Sequence, residues 1–241
     1  MIEKVYDMKY KAILFDLDGT LLPMDNDVFT KGYFKELAKK LSPLGIDPEF
    51  LIKAVWTGTK AMVKNDGTKP NIEVFWETFA QVSGKESEPF KKESDSFYLN
   101  EFEKARAFTG ENPLAKEAVK LARSSGAKVI CASNPLFPLN GQVMRMSWVG
   151  IEGKDFDYIS SYESESYSKP NPKFFTELCR KNDLNSEECL FIGNDVVEDM
   201  QTASSAGLNC YLVTDWAVMN GEWNGMKGTF ADLVSFLEKL Q

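Results

Sequence analysis

The sequence predicts an α/β fold in which a parallel sheet is covered by helices and carries an inserted helical bundle. Two observations lead to this class. Short apolar runs typical of buried strands alternate with helical patterns along most of the chain, as in βαβ units. A long interval after the first run holds only helical patterns, as expected for an insertion. The 241 residues are enough for a core domain with a smaller inserted one.

Five apolar runs are predicted to be buried strands. They are "KAILF" (11–15), "AKVICAS" (127–133), "DYIS" (157–160), "CLFIG" (189–193) and "NCYLVT" (209–214). Helical patterns lie between most of them. The pattern "NPLAKEAVKLARSSG" has Pro113 at its start and Gly126 just past its end, and "NPKFFTELCRKN" and "DVVEDMQTASSAG" follow later. The alternation brings the carboxyl ends of the strands to one edge, where ligands bind in parallel sheets.

The interval from about residue 24 to residue 105 is predicted to be a small helical bundle. Its first stretch has an apolar stripe with a spacing of four, formed by Phe29, Tyr33, Leu37 and Leu41. Similar stretches are "PEFLIKAVWTGTKAMV", "NIEVFWETFAQV" and "EPFKKESDSFYLNEFEKARAF". We therefore predict a core domain of residues 1–23 and 106–241, with a helical domain of residues 24–105 inserted into it.

Composition narrows the possible functions. A net charge of −8 argues against a nucleic-acid-binding protein, because phosphate affinity requires clustered Lys and Arg. No apolar stretch approaches the ~20 residues of a membrane span. The segment "MIEKVYDMKYKAILF" lacks the features of a signal peptide, which predicts a cytoplasmic protein. The cysteines form no CxxC pair and are expected to be reduced core residues: Cys131, Cys179, Cys189 and Cys210.

The sequence contains no histidine. Catalytic Ser-His-Asp triads, Cys-His pairs, histidine-ligated zinc sites and phosphohistidine intermediates are therefore excluded. Acid–base chemistry would depend on Asp, Glu, Lys, Tyr or Cys.

Two acidic clusters are predicted to meet at one edge of the sheet. Asp16 and Asp18 in "FDLDGTLL" follow the first strand, and the turn residues Gly19 and Thr20 come next. Asp195 and Asp199 follow the fourth strand in "LFIGNDVVEDM". Each cluster alone could be a polar turn or the start of a helix. Together their mutual repulsion calls for a cation, and hard oxygen ligands favour Mg²⁺.

Two smaller signals lie between these clusters. Ser133 and Asn134 end the second long strand, where a hydroxyl and free N–H groups could bind a phosphate. A helix N-cap is an equally good interpretation of that fragment. Lys169 precedes two prolines in "SKPNPKFF", so its turn is stiff, although most lysines are solvated surface residues.

These segments together resemble a known family. "FDLDGTLL", "ASN", "SKPNPKFF" and "IGNDVVEDMQTASSAG" occur in the order and spacing of the four motifs of the haloacid dehalogenase-like hydrolase superfamily. The resemblance covers residues 11–22 and 106–214 and implies a Rossmann-like α/β core. The helical insert after the first motif resembles that family's cap domain. The interval between Ser133 and Lys169 is too short for the larger cap that some members carry there.

The resemblance also implies roles for the matching residues. Asp16 would attack phosphorus and become an aspartyl phosphate, and Asp18 would protonate the leaving alcohol and later deprotonate water. Mg²⁺ would be held by the Asp16 carboxylate, the Asp18 backbone carbonyl and Asp195. The residues implied for neutralising or binding the phosphoryl group are Thr20, Ser133, Asn134 and Lys169, of which Lys169 is also implied in catalysis. Asn194 and Asp199 would be supporting residues.

The implied function is a magnesium-dependent phosphatase for a small phosphorylated metabolite. Carbon–halogen dehalogenases of the family lack an aspartate two positions after the nucleophile, and its phosphonate hydrolases also depart there, whereas this chain has Asp18. A phosphomutase with the same motifs is the nearest alternative, because it differs only in the acceptor of the phosphoryl group. A non-catalytic binding module is a third interpretation, which predicts that one of the aspartates would be lost.

Substrate specificity is expected to lie in the helical insert. One helical face could meet an anionic substrate, although a solvated lysine face is the stronger interpretation; it carries Lys53, Trp56, Lys60 and Lys64. The loop "TDWAVMNGEWNGM" (214–226) is predicted either to flank the entrance of the site or to pack beneath the last helix. We expect a monomer or a homodimer.

Overall fold

A computed structural model describes residues 10–241. The predicted absence of a signal peptide depends largely on residues 1–9, which lie outside the described residues. Within that part of the chain, six parallel strands form one sheet in the order β3-β2-β1-β4-β5-β6. The strands are β1 (Ala12–Phe15), β2 (Lys128–Cys131), β3 (Tyr158–Ile159), β4 (Cys189–Gly193), β5 (Asn209–Val213) and β6 (Met226–Gly228).

The predicted strands each have a counterpart in this sheet, so the α/β class is confirmed. The strand β6 was not predicted, because "MKG" is a short edge segment without an apolar run. β1 pairs with both β2 and β4, with Phe15 opposite Cys131 on one side and Ile192 on the other. The carboxyl ends of these three strands therefore lie side by side.

Four α-helices lie in the segment between β1 and residue 109. They are α1 (Asn26–Leu41), α2 (Pro48–Val63), α3 (Asn71–Ser83) and α4 (Ser87–Leu99). A 3₁₀ turn covers Ser42–Leu44, and the fourth predicted stretch breaks at Asn100 into α4 and a 3₁₀ helix, Glu101–Phe108. We call residues 26–108 the helical insert.

The helices of the core are interleaved with its strands. They are α5 (Ala115–Ser124), α6 (Leu139–Ser147), α7 (Lys173–Lys181), α8 (Thr202–Ser205) and α9 (Phe230–Glu238). Short 3₁₀ turns cover Gly153–Asp155 and Ser186–Glu188. α5 begins two residues after Pro113, since the Asn112 side chain forms a turn by accepting a hydrogen bond from the Leu114 N–H. The segment Val196–Gln201 is a π-helical turn rather than the α-helix expected there.

The helical insert leaves and re-enters the core through two neighbouring segments. The Gly110 N–H donates to the Pro23 carbonyl at 2.7 Å, and Met24 and Thr109 form an antiparallel bridge. These contacts join Pro23 and Met24 on the outgoing segment to Thr109 and Gly110 on the returning one. The division into two domains at residues 24 and 105 stays a prediction.

A second attachment joins the helical insert to the core loop that carries Lys169. The side chain of Asn71, at the start of α3, is fully buried and donates to Ser168 Oγ at 3.1 Å and to the Pro135 carbonyl at 3.3 Å. The Asn71 N–H donates to the Glu165 carbonyl at 2.8 Å. The start of α3 is therefore held beside the loop that carries Lys169.

Alternate residues of the strands build two hydrophobic cores on opposite faces of the sheet. Ile13 and Phe15 of β1 face a core that includes α5, α9 and the aromatic side chains of the helical insert. Ala12 and Leu14 face a second core with α7 and α8. Both faces of the sheet are covered, which explains why its strands are continuous apolar runs.

The cysteine prediction is confirmed, because the four cysteines are free thiols and all are buried. Within residues 10–241, no helix combines the length and the apolar character that crossing a membrane requires.

Candidate active site

The predicted site residues gather where three neighbouring strands end. The Asp16 N–H donates to the Ile192 carbonyl of β4 at 2.8 Å, so this residue continues the β1 ladder by one step. Ser133 follows β2 in the same way, after Ala132 has donated to the Phe15 carbonyl at 2.7 Å. Asn194 and Asp195 follow β4 directly. The parallel register thus fixes the positions of these residues relative to one another.

Among the carboxylate residues that line the cavity described below, Asp199 is the most buried and Asp16 comes next. The relative exposure of Asp16 is 5%, and its Oδ1 accepts a hydrogen bond from Lys169 Nζ at 2.8 Å. Burial raises the pKa of Asp16 to about 7; Lys169 acts in the opposite direction, while Asp199 and Asp18 raise the pKa further. A carboxylate in this position needs positive charge to stay ionised near neutral pH.

Lys169 supplies part of that charge. Its ammonium group is buried between two carboxylates, 2.8 Å from Asp16 Oδ1 and 2.5 Å from Asp199 Oδ1. Burial disfavours the charge, but Asp16 and Asp199 outweigh that effect and raise the pKa of Lys169. Asn134 holds the backbone of Lys169 through Oδ1, which accepts from the Lys169 N–H at 3.2 Å, and through Nδ2 on its carbonyl at 3.3 Å. Lys169 is therefore a fixed cation and not a solvated surface residue.

Asp199 positions Lys169 and also closes the turn after β4. Its Oδ2 accepts from the backbone N–H groups of Asn194 at 3.0 Å and of Asp195 at 3.1 Å. The absence of a side chain at Gly193 makes this possible, since a Cβ there would lie 2.5 Å from Asp199 Oδ2. Both oxygens of the Asp199 carboxylate therefore accept hydrogen bonds from groups of the protein.

The turn after Asp18 is braced against Asn194. Gly19 has a φ of +80°, and a Cβ at this position would lie 2.2 Å from Asn194 Nδ2. Thr20 Oγ1 is 3.1 Å from Asp16 Oδ2 and 3.2 Å from Asn194 Oδ1, so its single proton can be donated to either. Thr20 does not belong to the cavity wall described below, and its contacts are those of a residue that orients Asp16.

Asp18 has a partner that sequence reasoning missed. Its Oδ2 contacts Nη1 of Arg145, whose side chain is completely buried in α6. Arg145 also donates to Gln142 Oε1, and its guanidinium lies over the Phe137 ring, 4.1 Å from the centroid. The available signal was the i, i+3 pairing of Gln142 and Arg145 within an otherwise apolar helix face. Arg145 holds one oxygen of Asp18, while Oδ1 is buried without a partner.

Ser133 faces the same space with an unsatisfied hydroxyl. Its Oγ is buried and has no hydrogen-bond partner, although its backbone carbonyl accepts from Ser160 Oγ at 2.6 Å. The helix N-cap interpretation of "CASN" is wrong, because α6 begins only at Leu139 and Pro138 occupies its N-cap position. A buried hydroxyl without a partner is costly unless a ligand satisfies it.

Asp195 has a structural role and also lines the cavity. Its Oδ1 caps the π-helical turn by accepting from the N–H groups of Val197 at 2.9 Å and Glu198 at 2.7 Å. Asn220 Nδ2 contacts both carboxylate oxygens at 3.1 and 3.2 Å. Asn220 and the Asn194–Val218 backbone hydrogen bond at 3.0 Å place the loop 214–226 beside the site, as one of its two predicted arrangements requires.

The donor set fits a magnesium ion better than a metal held by side chains alone. Among residues 10–241, no group of three or more His, Cys, Asp or Glu side chains is arranged to hold a metal ion. Mg²⁺ is normally bound by one or two carboxylates and several waters. The three residues of the predicted ligand set, Asp16, Asp18 and Asp195, all line the same cavity. The carboxylates at the site outnumber the cationic side chains that contact them, Lys169 and Arg145, and this excess of negative charge also favours a bound cation.

A cavity of about 350 Å³ joins these residues to the helical insert. Of the predicted residues, its wall contains Asp16, Asp18, Ser133, Asn134, Lys169, Asn194, Asp195 and Asp199. Glu198, which was not predicted as a site residue, is also on the wall. Trp56 lines the cavity, whereas Lys53, Lys60 and Lys64 are exposed to solvent and do not. The solvated lysine face is therefore the correct interpretation of those three residues.

This arrangement can carry out displacement at an electrophile. Asp16 is a buried carboxylate held by Lys169 and Thr20, as a nucleophile must be. Asp18 has a free oxygen for proton transfer, and Ser133 and Lys169 are positioned to neutralise negative charge on an anion in the cavity.

Comparisons with known proteins agree with this geometry. The family model described as haloacid dehalogenase-like hydrolase matches residues 10–207. A phosphoglycolate phosphatase of Nitrosospira multiformis is 25% identical over 216 residues, which are 86% of this chain and 85% of that protein. A phospholysine phosphohistidine inorganic pyrophosphate phosphatase of Xenopus laevis is 37% identical over 65 residues, 27% of this chain and 24% of that protein.

Solved structures with the same fold cover nearly the whole chain. CbbY from Rhodobacter sphaeroides in complex with phosphate has a TM-score of 0.58 at 18% identity, over 93% of this chain and 96% of that one. A phosphatase from Thermococcus onnurineus has a TM-score of 0.57 at 18% identity, over 94% and 97% of the two chains. At this identity the similarity concerns the fold, including its Rossmann-like core.

Proposed function

The chain belongs to the haloacid dehalogenase-like hydrolase family and is a phosphoric monoester hydrolase, and on that basis we propose that it hydrolyses a small phosphomonoester with Mg²⁺ through an aspartyl phosphate on Asp16. One observation supports the proposal most strongly. Two buried side-chain oxygens, Asp18 Oδ1 and Ser133 Oγ, have no protein partner and belong to residues that line the cavity with Asp16. A leaving oxygen and a phosphoryl oxygen of the substrate would supply the missing partners.

In the first step a carboxylate oxygen of Asp16 attacks phosphorus. The new O–P bond forms as the bond from phosphorus to the substrate oxygen breaks, and Asp18 donates a proton to that oxygen, so a neutral alcohol leaves. Lys169 Nζ and Ser133 Oγ stabilise the charge on the equatorial phosphoryl oxygens. Thr20, which also contacts Asn194, holds Asp16 in line.

In the second step water attacks the phosphorus of the aspartyl phosphate. Asp18 takes a proton from that water, the bond from Asp16 to phosphorus breaks, and phosphate and the Asp16 carboxylate are released. When bound by Asp16, Asp195 and the Asp18 carbonyl, Mg²⁺ supplies charge neutralisation at the phosphoryl group. Arg145 keeps the Asp18 side chain oriented through both steps.

Two other activities are distinguished by the fate of the substrate. A phosphomutase would transfer the phosphoryl group to a second substrate hydroxyl, which gives an isomerised ester and little free phosphate. A non-catalytic module would bind phosphate esters unchanged. The cytoplasmic location and the monomeric or homodimeric state stay predictions of the sequence.

A phosphatase screen with an inactive blank tests the proposal. The purified protein is incubated with sugar phosphates, nucleotides and small phospho-acids, with Mg²⁺ or with a chelator, and Asp16→Asn serves as the blank. We expect phosphate release that requires Mg²⁺ and is lost in the blank. Equal release by the Asp16→Asn variant, or no release from any ester, would contradict the proposal.

A further inference from the structure

The helical insert contributes an apolar and largely aromatic wall to the cavity. Among the side chains on this wall are Phe29, Phe34, Leu37, Phe75, Trp76 and Phe79. All six are at least nine-tenths buried, so their packing against one another fixes the wall. Phe75 and Trp76 pack edge to face with ring centroids 5.0 Å apart, and Trp76 and Phe79 do so at 5.4 Å.

The cavity offers no cation for a second anionic group. Within the described residues, Lys169 is the one Lys or Arg on its wall, and both Asp16 and Asp199 already contact its ammonium group. The basic residues along α2, which could have met an anion, point to solvent instead. A carboxylate or second phosphate on the alcohol side of the substrate would therefore be buried unpaired, which is strongly unfavourable.

The polar atoms of this wall are neutral. Tyr33 and Tyr98 share a hydrogen bond of 2.5 Å between their hydroxyl groups. Trp76 Nε1 is buried and makes no hydrogen bond of normal geometry, although the Tyr162 hydroxyl lies nearby. Such groups can accommodate one hydroxyl or carbonyl of a ligand, and they do not compensate a charge.

We propose that the alcohol released from this site is uncharged and largely apolar, an aryl-alkyl or alkyl alcohol rather than a hydroxy acid or a sugar bisphosphate. The proposal rests on the proposed phosphatase function and names its substrate class. A cavity of about 350 Å³ is within the size range of sites that enclose a small organic ligand.

Matched phosphate esters test this substrate class. We would measure kcat/KM with Mg²⁺ for methyl, propyl and pentyl phosphate, 2-phenylethyl phosphate and phosphoglycolate. Burial of apolar surface predicts a gain of about fourfold per methylene along the alkyl series. We also expect 2-phenylethyl phosphate to exceed phosphoglycolate by roughly two orders of magnitude, since phosphoglycolate brings an unpaired carboxylate. A flat series, or phosphoglycolate as the better substrate, would overturn the proposal.

A pair of threonines on α2 provides a variant and its control. Thr59 lines the cavity and Thr57 does not, and each donates its hydroxyl to the carbonyl four residues earlier. Thr59→Phe should lower kcat/KM for 2-phenylethyl phosphate at least tenfold more than for methyl phosphate, because the new ring fills the cavity. Thr57→Phe should leave both values unchanged. Equal losses for the two esters in Thr59→Phe would show that the alcohol lies elsewhere.

Binding of uncleavable analogues separates this proposal from the proposed function. Calorimetry with Mg²⁺ compares 3-phenylpropylphosphonate with phosphonoacetate, neither of which needs to be turned over. We expect the aryl phosphonate to bind roughly a hundredfold more tightly, and equal or tighter binding of phosphonoacetate overturns the substrate class. If no ester releases phosphate but the aryl phosphonate still binds preferentially, the phosphatase function fails and the class of ligand stands.

Discussion

At the scale of single residues, the ionisation of Asp16 links stability to pH and to Mg²⁺. Burial raises the pKa of Asp16 to about 7 in the folded protein, well above the usual value of 3.8. Between pH 3.8 and about pH 7, Asp16 of the folded state therefore holds a proton that it has lost in the unfolded state. The stability that this group contributes is complete below the lower pKa and is lost as the pH rises through the upper one.

We predict that metal-free protein loses stability from Asp16 between about pH 4 and about pH 7, and that Mg²⁺ restores it, because the cation binds the ionised carboxylate. Thermal unfolding at about pH 5 and about pH 8, with and without Mg²⁺, measures both effects. Mg²⁺ should raise Tm more at the higher pH. In the Asp16→Asn control this difference should disappear. The prediction would be contradicted if the rise in Tm with Mg²⁺ depended on pH to the same extent in the wild type and in Asp16→Asn.

Arg145 is predicted to matter through Asp18. Arg145→Met removes the donor that fixes Asp18 Oδ2, and we expect kcat to fall at least tenfold while KM changes little. Loss of a buried hydrogen-bonded group should also cost about 1–3 kcal/mol of stability. Arg145→Lys keeps the charge and should recover part of kcat. Steady-state kinetics with urea unfolding as the folding control checks this. An unchanged kcat in Arg145→Met would mean that Asp18 does not depend on this contact.

At the scale of structural elements, the turn that carries Asp18 and Gly19 is fixed by contact with the turn after β4. Gly19 and Gly126 have nearly the same φ, +80° and +81°, but only Gly19 faces a close neighbour. A Cβ at Gly126 would meet no atom within 4 Å, whereas one at Gly19 would overlap the Asn194 side chain. Comparing alanine substitutions at Gly19 and Gly126 therefore separates the cost of backbone strain from the cost of steric overlap.

We predict that Gly19→Ala destabilises the protein by about 2 kcal/mol more than Gly126→Ala. Both variants pay about 1–2 kcal/mol for an alanine in the left-handed region, and only Gly19→Ala must also displace Asn194. Activity should be lost in Gly19→Ala alone, since Thr20 and Asp16 depend on that side chain. Urea unfolding and phosphate release measure the two effects. Equal destabilisation of Gly19→Ala and Gly126→Ala would show that a Cβ at position 19 does not overlap the Asn194 side chain.

At the scale of the whole molecule, local signals in the sequence were sufficient for the fold class and for most of the residues that gather at the candidate site. The strand after which Asp16 and Asp18 follow is a continuous apolar run, and such runs are recognisable wherever a sheet is covered on both faces. Once the strands are parallel, their carboxyl ends coincide, so the proximity of Asp16, Ser133 and Asp195 follows from topology.

Other features depend on tertiary contacts that the sequence does not display locally. Arg145 approaches Asp18 across the fold, and nothing in "QVMRMSW" identifies its partner. The edge strand β6 is short and lacks an apolar run, and the π-helical turn after Asp195 replaces a regular helix. The basic residues of α2 left two interpretations open in the sequence, and the packing of the helical insert decides for the solvated face, since Lys53, Lys60 and Lys64 are exposed and lie off the cavity wall.

The central claim is that Asp16 becomes covalently phosphorylated during turnover. The most direct measurement is acid quenching within the first turnover of a cleavable ester with Mg²⁺, followed by borohydride reduction and peptide mass spectrometry. An acyl phosphate on Asp16 is reduced to homoserine, while a free carboxylate is not. We predict homoserine at position 16 only when ester and Mg²⁺ are both present. Phosphate release without homoserine at that position, under conditions that trap a known aspartyl phosphate, would contradict the account.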